Sequence, residues 1–126
     1  MLYLFVGLGG ILGAISRYAI SKAIHEKTDS SFPFGTLVVN ITGAFFLSFI
    51  LGLGISHQGL IGKNLELALT TGFLGAYTTF STFSYETFQS IQEGELYRPL
   101  AYVLLTIFLG LMGAWLGFLS STNWLQ

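Results

Sequence analysis

Four long apolar stretches, separated by short polar loops, constrain the fold of this chain more than any other feature. They span about residues 2–24, 35–55, 65–91 and 99–124. Each reaches the roughly 20 residues that a helix needs to cross the hydrocarbon core of a bilayer. Backbone groups in lipid must be paired internally, and these stretches lack the polar–apolar alternation of barrel strands. We therefore predict an all-α membrane protein with four transmembrane helices.

The composition supports an integral membrane protein. We expect a multi-pass protein that lies in the lipid bilayer of the inner or plasma membrane. Hydrophobic residues make up 52% of the chain and charged residues 9%, whereas soluble domains carry about 25% charged residues. The net charge of −1 gives no indication of nucleic-acid binding, and the absence of cysteine excludes disulfides and thiolate metal sites. His25 and His57 lie in different loops without a nearby nucleophile pattern, so we predict that the protein is not an enzyme.

The third stretch contains a sequence that is unusual at membrane depth, GFLGAYTTFSTFSYETF (residues 72–88). Gly72, Gly75 and the run Tyr77 to Thr79 are poor helix formers, and we predict that the helix opens near Gly75 to Thr79 and restarts near Phe80. Broken helices at this depth are tolerated where protein or a cavity satisfies the backbone. They expose carbonyls to cations and helix N-termini to anions. A satisfied kink, with hydroxyls bonded to their own backbone, is the alternative.

Several side chains inside the stretches are candidates for an ion pathway. Asn40 lies on a stripe of small and polar residues, and a buried amide costs free energy unless it is paired. Phe80 and Phe83 share one helical face, where the positive edges of the rings could line an anion path. Simple packing is the alternative for both rings. Tyr102 and Thr106 are four residues apart, so they can present hydroxyls to one groove or bond to a neighbouring helix.

Small residues predict where the helices pack closely. Gly9 and Gly13 are four residues apart, as are Gly113 and Gly117. Such pairs allow the backbones of two membrane helices to approach each other. Because four short helices leave little room for a wide central cavity, we expect an oligomer with any pathway between helices or subunits.

With these residues assembled, the chain resembles the CrcB/Fluc family of fluoride channels over nearly its whole length. GGILGAISRY (9–18) is similar to the family's first-span motif, and GTLVVNITG (35–43) is similar to its second-span motif. TTGFLGAYTTFSTFSYE (70–86) is similar to the most distinctive signature of the family. The fourth stretch is less specific, because Thr106 stands where a serine is common and Gly110 offers no hydroxyl.

The resemblance implies a fluoride-selective channel that exports fluoride passively and so lowers cytoplasmic fluoride. It implies an antiparallel, dual-topology dimer with two pores and a structural sodium ion at the dimer centre. By position, the implied pore residues are Asn40, Phe80, Phe83, Ser81, Thr82, Tyr102 and Thr106, with Arg17 in the vestibule and the backbone carbonyls of Gly75 and Thr78 as sodium ligands. These residues suit fluoride, because amides and hydroxyls can replace the water around a small anion. Ring edges add a weak positive potential that does not trap the ion, and conduction needs sites that the ion can leave.

Two other functions are open on the residues alone. A small four-helix multidrug or cation exporter needs an intramembrane carboxylate. The first stretch has none, and Glu86 lies near the end of the third. A membrane subunit without a transport role would pass no ions in liposomes.

Basic residues in the loops show a small bias across the membrane. Lys63 lies on the side of the termini, whereas Lys22, Lys27 and Arg98 lie on the other side. Cytoplasmic loops carry the excess of such residues, so this three-to-one bias leans toward external termini and is small enough for dual topology. We favour a homodimer over a heterodimer of two different chains. A cysteine placed near the C-terminus, at Ser121, is expected to report the orientation.

Overall fold

The protein, seen in a computed structural model that describes residues 1–57 and 59–123, is built from helices in four spans. In chain order these are α1 (Leu2–Thr28), α2 (Phe34–Ser56), α3 (Lys63–Leu67), a π-helical segment (Ala68–Leu74), α4 (Gly75–Tyr77), α5 (Phe80–Gln92) and α6 (Tyr97–Asn123). No strand occurs within the described ranges, which confirms the predicted all-α class. Among these helices, α1, α2 and α6 are each long and apolar enough to cross a membrane. The elements from α3 to α5 form the third span.

The first helix extends further than the sequence predicts. The predicted span ends at residue 24, but α1 continues to Thr28, whose hydroxyl donates to the carbonyl of Ile24 at 2.8 Å. Asp29 then adopts the left-handed conformation, and its N–H donates to the carbonyl of His25. Local hydrogen bonds of this kind end the helix one turn later than its apolar pattern does.

The last helix begins slightly earlier than predicted. α6 starts at Tyr97, which places Pro99 in its first turn. Proline is tolerated there because the N–H of a first-turn residue has no helical partner. Trp124, the predicted end of the fourth span, lies outside the described residues.

Glycines bring two pairs of elements into backbone contact. A Cβ atom at Gly13 would overlap the carbonyl of Phe73, so α1 lies directly on the π-helical segment. A Cβ atom at Gly117 would overlap the carbonyl of Phe45, so α6 lies equally close to α2. The close packing predicted from the glycine pairs is therefore confirmed.

The interior of one chain is small. Its core cluster contains Val39, Leu74 and Tyr77, and Leu47, Ile50 and Phe73 pack against it. Most of the large apolar side chains on α1 and α6 point outward. An apolar surface of this kind is expected where a helix faces lipid or another subunit.

Candidate functional site

The third span opens at two residues, Thr78 and Thr79. Their backbones are extended, with φ/ψ of −81°/158° and −149°/122°. α4 ends at Tyr77 and α5 begins at Phe80. The predicted break and restart are thus confirmed, but the opening is narrower than predicted, because Gly75 is helical.

One of the glycines that suggested a break serves the packing of the helix instead. Gly72 is buried within the π-helical segment, and a Cβ atom there would stand 2.5 Å from the carbonyl oxygen of Val6. Its missing side chain lets the segment lie against α1. The chain leaves the helix at the two threonines, whose hydroxyls can bond to the backbone outside a helix.

Hydroxyl groups stabilise the start of α5. Thr79 is the N-cap residue, and its hydroxyl accepts a hydrogen bond from the N–H of Thr82 at 3.2 Å. The same hydroxyl donates to the Thr82 hydroxyl at 3.0 Å and lies 3.3 Å from the hydroxyl of Ser81. Thr78 behaves as the kink alternative predicts, since its hydroxyl donates to the carbonyl of Leu74. The break therefore carries a cluster of mutually bonded hydroxyls.

Asn40, on α2, bonds directly to the opened backbone. Its Nδ2 donates to the carbonyl of Thr79 at 3.0 Å, and the N–H of Thr79 donates to its Oδ1 at 2.8 Å. An amide nitrogen carries two hydrogens, so one N–H of Asn40 is left over from this pairing. The side chain can therefore hold the break and still offer a donor to a ligand.

A cavity of about 550 Å³ lies beside the break. Four predicted pore residues line it: Asn40, Phe80, Phe83 and Thr106. The Thr106 hydroxyl is buried and has no hydrogen-bond partner among the described residues. Because buried polar groups normally have a partner, this hydroxyl is available to a ligand in the cavity.

Three aromatic rings continue from the cavity along α5 and α6. The ring centroids of Phe80 and Phe83 are 5.8 Å apart, and those of Phe83 and Tyr102 are 5.1 Å apart. Phe80 is 79% exposed in the single chain. One side of this wall is therefore open to another molecule.

Glu86 joins the aromatic rings to the loop end of the bundle. The hydroxyl of Tyr102 donates to its Oε2 at 2.8 Å, and the hydroxyl of Thr36 donates to its Oε1 at 2.9 Å. Both donors are buried. Since Tyr102 also contacts Phe83, polar and aromatic side chains form a connected row from the break to Glu86.

Sequence reasoning assigned no site role to Glu86 or Thr36. The available signal was spacing, because Glu86 follows Phe83 by three positions and Thr36 precedes Asn40 by four, which places each on the same helical face as a predicted pore residue. Thr36 and Glu86 are 50 residues apart in sequence. Their contact depends on how α2 packs against α5.

Two cavities at the loop end meet at Glu86. One, of about 310 Å³, is also lined by His25 and Arg98. The other, of about 270 Å³, is lined by Lys22 and His25. Arg98 forms ion pairs with Glu93 at 3.5 Å and with Glu95 at 3.3 Å. These cavities connect the row of side chains with the loops.

The vestibule role of Arg17 stays a prediction. The residue is on α1, about three turns before the end of that helix. It is not among the residues that line either loop-end cavity or the cavity beside the break.

The hydrogen bonds at the break leave two carbonyls without their helical donors. In a continuous helix, the carbonyl of Gly75 accepts from the N–H of Thr79, and that of Thr78 accepts from the N–H of Thr82. Here the Thr79 N–H bonds to Asn40, and the Thr82 N–H bonds to the Thr79 hydroxyl. Carbonyls of unwound helices are oxygen ligands for sodium, so this part of the chain fits such an ion.

Comparison with known proteins identifies similar chains over almost the full length. The model of the family described as CrcB-like protein, Camphor Resistance (CrcB), matches residues 4–118. Fluoride-specific ion channel FluC 2 of Moorella thermoacetica is 49% identical, over 96% of this chain and 97% of the relative. A protein of the same name from Clostridium acetobutylicum is 45% identical, over 91% and 93%. Fluoride-specific ion channel FluC of Acidobacterium capsulatum is 43% identical, over 93% of each chain.

Proposed function

This chain belongs to the CrcB-like protein family, and from that premise we propose that it is a fluoride-specific ion channel of the membrane. The observation that carries the proposal is the cavity beside the break. There the Thr106 hydroxyl has no partner within the described part of the chain, and one N–H of Asn40 is left over from its pairing with Thr79. The chain is not an enzyme, since its relatives are named ion channels.

The chemistry of this cavity suits a small, strongly hydrated anion. An anion that loses water needs hydrogen-bond donors in its place, and the Asn40 amide and the Thr106 hydroxyl are such donors. Phe80 and Phe83 supply ring edges with weak positive potential. None of the described residues that line the cavity is a formal cation, so the ion is held weakly enough to leave, as conduction requires.

The proposed path runs from the loop-end cavities past Glu86 to the cavity beside the break. At Glu86, the hydroxyls of Tyr102 and Thr36 already donate to the oxygens of a carboxyl group. A passing anion competes with the side chain of Glu86 for these two donors. The Ser81 and Thr82 hydroxyls lie at the far end of the path, where they bond to Thr79.

We further propose that a second subunit, in antiparallel orientation, completes the pore. The exposed ring of Phe80 and the exposed Gly75 support this arrangement, because both lie near the break and are accessible in the single chain. Two-fold symmetry in the membrane plane would give two pores and place the two breaks opposite each other. The small bias of basic loop residues permits insertion in both directions.

A structural sodium ion is proposed between the two breaks. The carbonyls of Gly75 and Thr78 from each subunit would hold it, since both have lost their helical donors. The ion would neutralise the carbonyl dipoles that meet at the dimer centre. Fluoride transport is not assigned to it.

Ion efflux from liposomes that hold the purified protein tests the proposed function. We expect passive fluoride efflux that far exceeds chloride efflux, because the cavity offers donors without formal charge. The test variant is Asn40→Asp, which keeps the side-chain shape but loses the amide donor and adds negative charge. We expect it to reduce fluoride efflux at least about tenfold, the effect of about 1.4 kcal/mol.

The same experiment separates the other candidates. A requirement for a proton gradient would favour an exporter, and efflux equal to that of protein-free liposomes would favour a subunit without a transport role. Equal rates for fluoride and chloride would reject fluoride specificity.

A further inference from the structure

We propose that Asn40 is a positioning residue that supplies, from α2, the missing half of the helix cap at the start of α5. This role is additional to a place in the pore wall. The carboxamide holds the third span open at Thr79 through two hydrogen bonds. Only the expected effect on ion flux rests on the proposed function.

The start of α5 lacks one part of a complete cap. The N-terminus of a helix leaves four N–H groups without helical partners. In a capping box, the N-cap side chain accepts from the N–H at position N3, and a Glu or Gln at N3 bonds back to the N-cap N–H. In α5 the first bond is present, from the Thr82 N–H to the Thr79 hydroxyl. The residue at N3 is Thr82, which is neither Glu nor Gln. Its hydroxyl accepts a hydrogen bond from the Thr79 hydroxyl.

Asn40 provides the second bond from a neighbouring helix. Its Oδ1 accepts from the N-cap N–H of Thr79, and its Nδ2 donates to the carbonyl of the same residue. Because Oδ1 faces a donor and Nδ2 faces an acceptor, only one orientation of the carboxamide satisfies both contacts. Thr79 is buried, so its N–H would otherwise be costly to leave unpaired.

This pairing sets the position of everything that follows on α5. Thr79 keeps its extended backbone while both of its peptide groups are bound to α2. The residues Phe80, Phe83 and Glu86 are carried by the helix that begins at the next position. A shift in the start of α5 therefore moves the rings and the carboxylate together.

Hydrogen exchange at the Thr79 amide tests this role in the full chain, purified in detergent micelles and labelled with ¹⁵N-threonine. In the parent protein we expect this amide to be as protected as that of Thr87, within α5. In Asn40→Leu, which keeps the side-chain shape but loses both bonds, we expect Thr79 to exchange at least tenfold faster. Fluoride efflux should fall at least tenfold in the same variant.

A second substitution separates positioning from a role as a pore donor alone. Thr82→Gln creates the N3 residue of a local capping box. Combined with Asn40→Leu, it should return the exchange rate of Thr79 toward that of the parent. If Asn40 only donated to an ion, Thr82→Gln would have no effect on the exchange rate of the Thr79 amide.

Asn64→Leu is the matched control, because it removes the same side chain at an exposed position of α3. It should leave both Thr79 exchange and fluoride efflux unchanged. The proposal is overturned if Thr79 exchanges equally in the parent and in Asn40→Leu, or if the parent amide exchanges at least tenfold faster than that of Thr87. If Asn40→Leu does not fold, recovery of folding by Thr82→Gln supports the proposal, and failure to recover overturns it. A parent without fluoride efflux would reject the proposed function but leave the exchange measurement decisive.

Discussion

Single side chains in this protein serve both the backbone and the proposed ion path. Asn40 forms two hydrogen bonds with the backbone of Thr79, while the hydroxyls of Tyr102 and Thr36 donate to Glu86. Thr106 differs from them, because its buried hydroxyl has no partner among the described residues. A buried polar group without a partner lowers stability, so its presence is easiest to understand if an ion uses it.

Thr106→Val is therefore expected to change stability and conduction in opposite directions. Valine has nearly the same shape but no hydroxyl. The free energy of unfolding should therefore be about 1–3 kcal/mol higher in the variant than in the parent. Fluoride efflux should fall severalfold because a donor is lost. Thermal unfolding in micelles and efflux from liposomes measure the two effects. A variant that conducts like the parent would show that Thr106 is outside the path.

Phe80→Ile and Phe83→Ile should each slow fluoride efflux. Isoleucine keeps an apolar side chain but removes the ring edge, and interactions of aromatic rings contribute about 0.5–1.5 kcal/mol. This energy corresponds to a decrease of about two- to tenfold. Phe88→Ile is the control, because Phe88 is on α5 but does not line the cavity. If both pore variants match the control, the rings serve packing alone.

The helices show which features a sequence of this kind can predict. The four apolar stretches and the hydroxyl-rich sequence near Thr79 depend on local composition, and both correspond to observed elements. Asn40, Phe80, Phe83 and Thr106 were predicted from helical spacing, and they do line one cavity.

Other features depend on contacts that no local pattern encodes. The bonds of Glu86 to Thr36 and Tyr102 require three separate helices to be placed correctly. Gly72 has a composition-based interpretation as a helix breaker, yet its role follows from the distance to α1.

Because α1 packs against the third span, two glycines of α1 should differ in how much an added methyl group changes stability. A Cβ atom at Gly13 would overlap the carbonyl of Phe73, whereas one at Gly7 has open space around it. Gly13→Ala should therefore destabilise the protein by about 1–3 kcal/mol through overpacking. Gly7→Ala should be neutral or stabilise it by up to about 1 kcal/mol. Unfolding of both variants in micelles measures the difference, and equal effects would contradict the observed contact.

The assembled protein depends on how its chains are oriented in the membrane. A homodimer with two-fold symmetry in the membrane plane requires the same chain to insert in both directions. The loops bias the chain only weakly, with Lys63 on one side against Lys22, Lys27 and Arg98 on the other. Because topology follows this bias, the proposed dimer needs it to be small.

Cysteine labelling measures the orientation, but the structure changes the choice of position. Ser121 is fully buried, and its hydroxyl donates to the carbonyl of Phe118. A cysteine there would react poorly from either side, so Ser121 is the wrong position. Asn123 is exposed at the end of α6. Because the chain has no native cysteine, Asn123→Cys introduces a single reactive thiol, and the parent protein serves as the unlabelled control.

We expect Asn123→Cys to be labelled by a membrane-impermeant reagent from the outside of intact cells. A second fraction should react only after the cells are opened, because half of the chains in an antiparallel homodimer face the other way. Purified Asn123→Cys protein should also form a dimer on its own. Labelling of one fraction only, together with a monomeric purified chain, would reject the homodimer. That result would instead favour a heterodimer, in which a second chain supplies the opposite orientation and the other half of each pore.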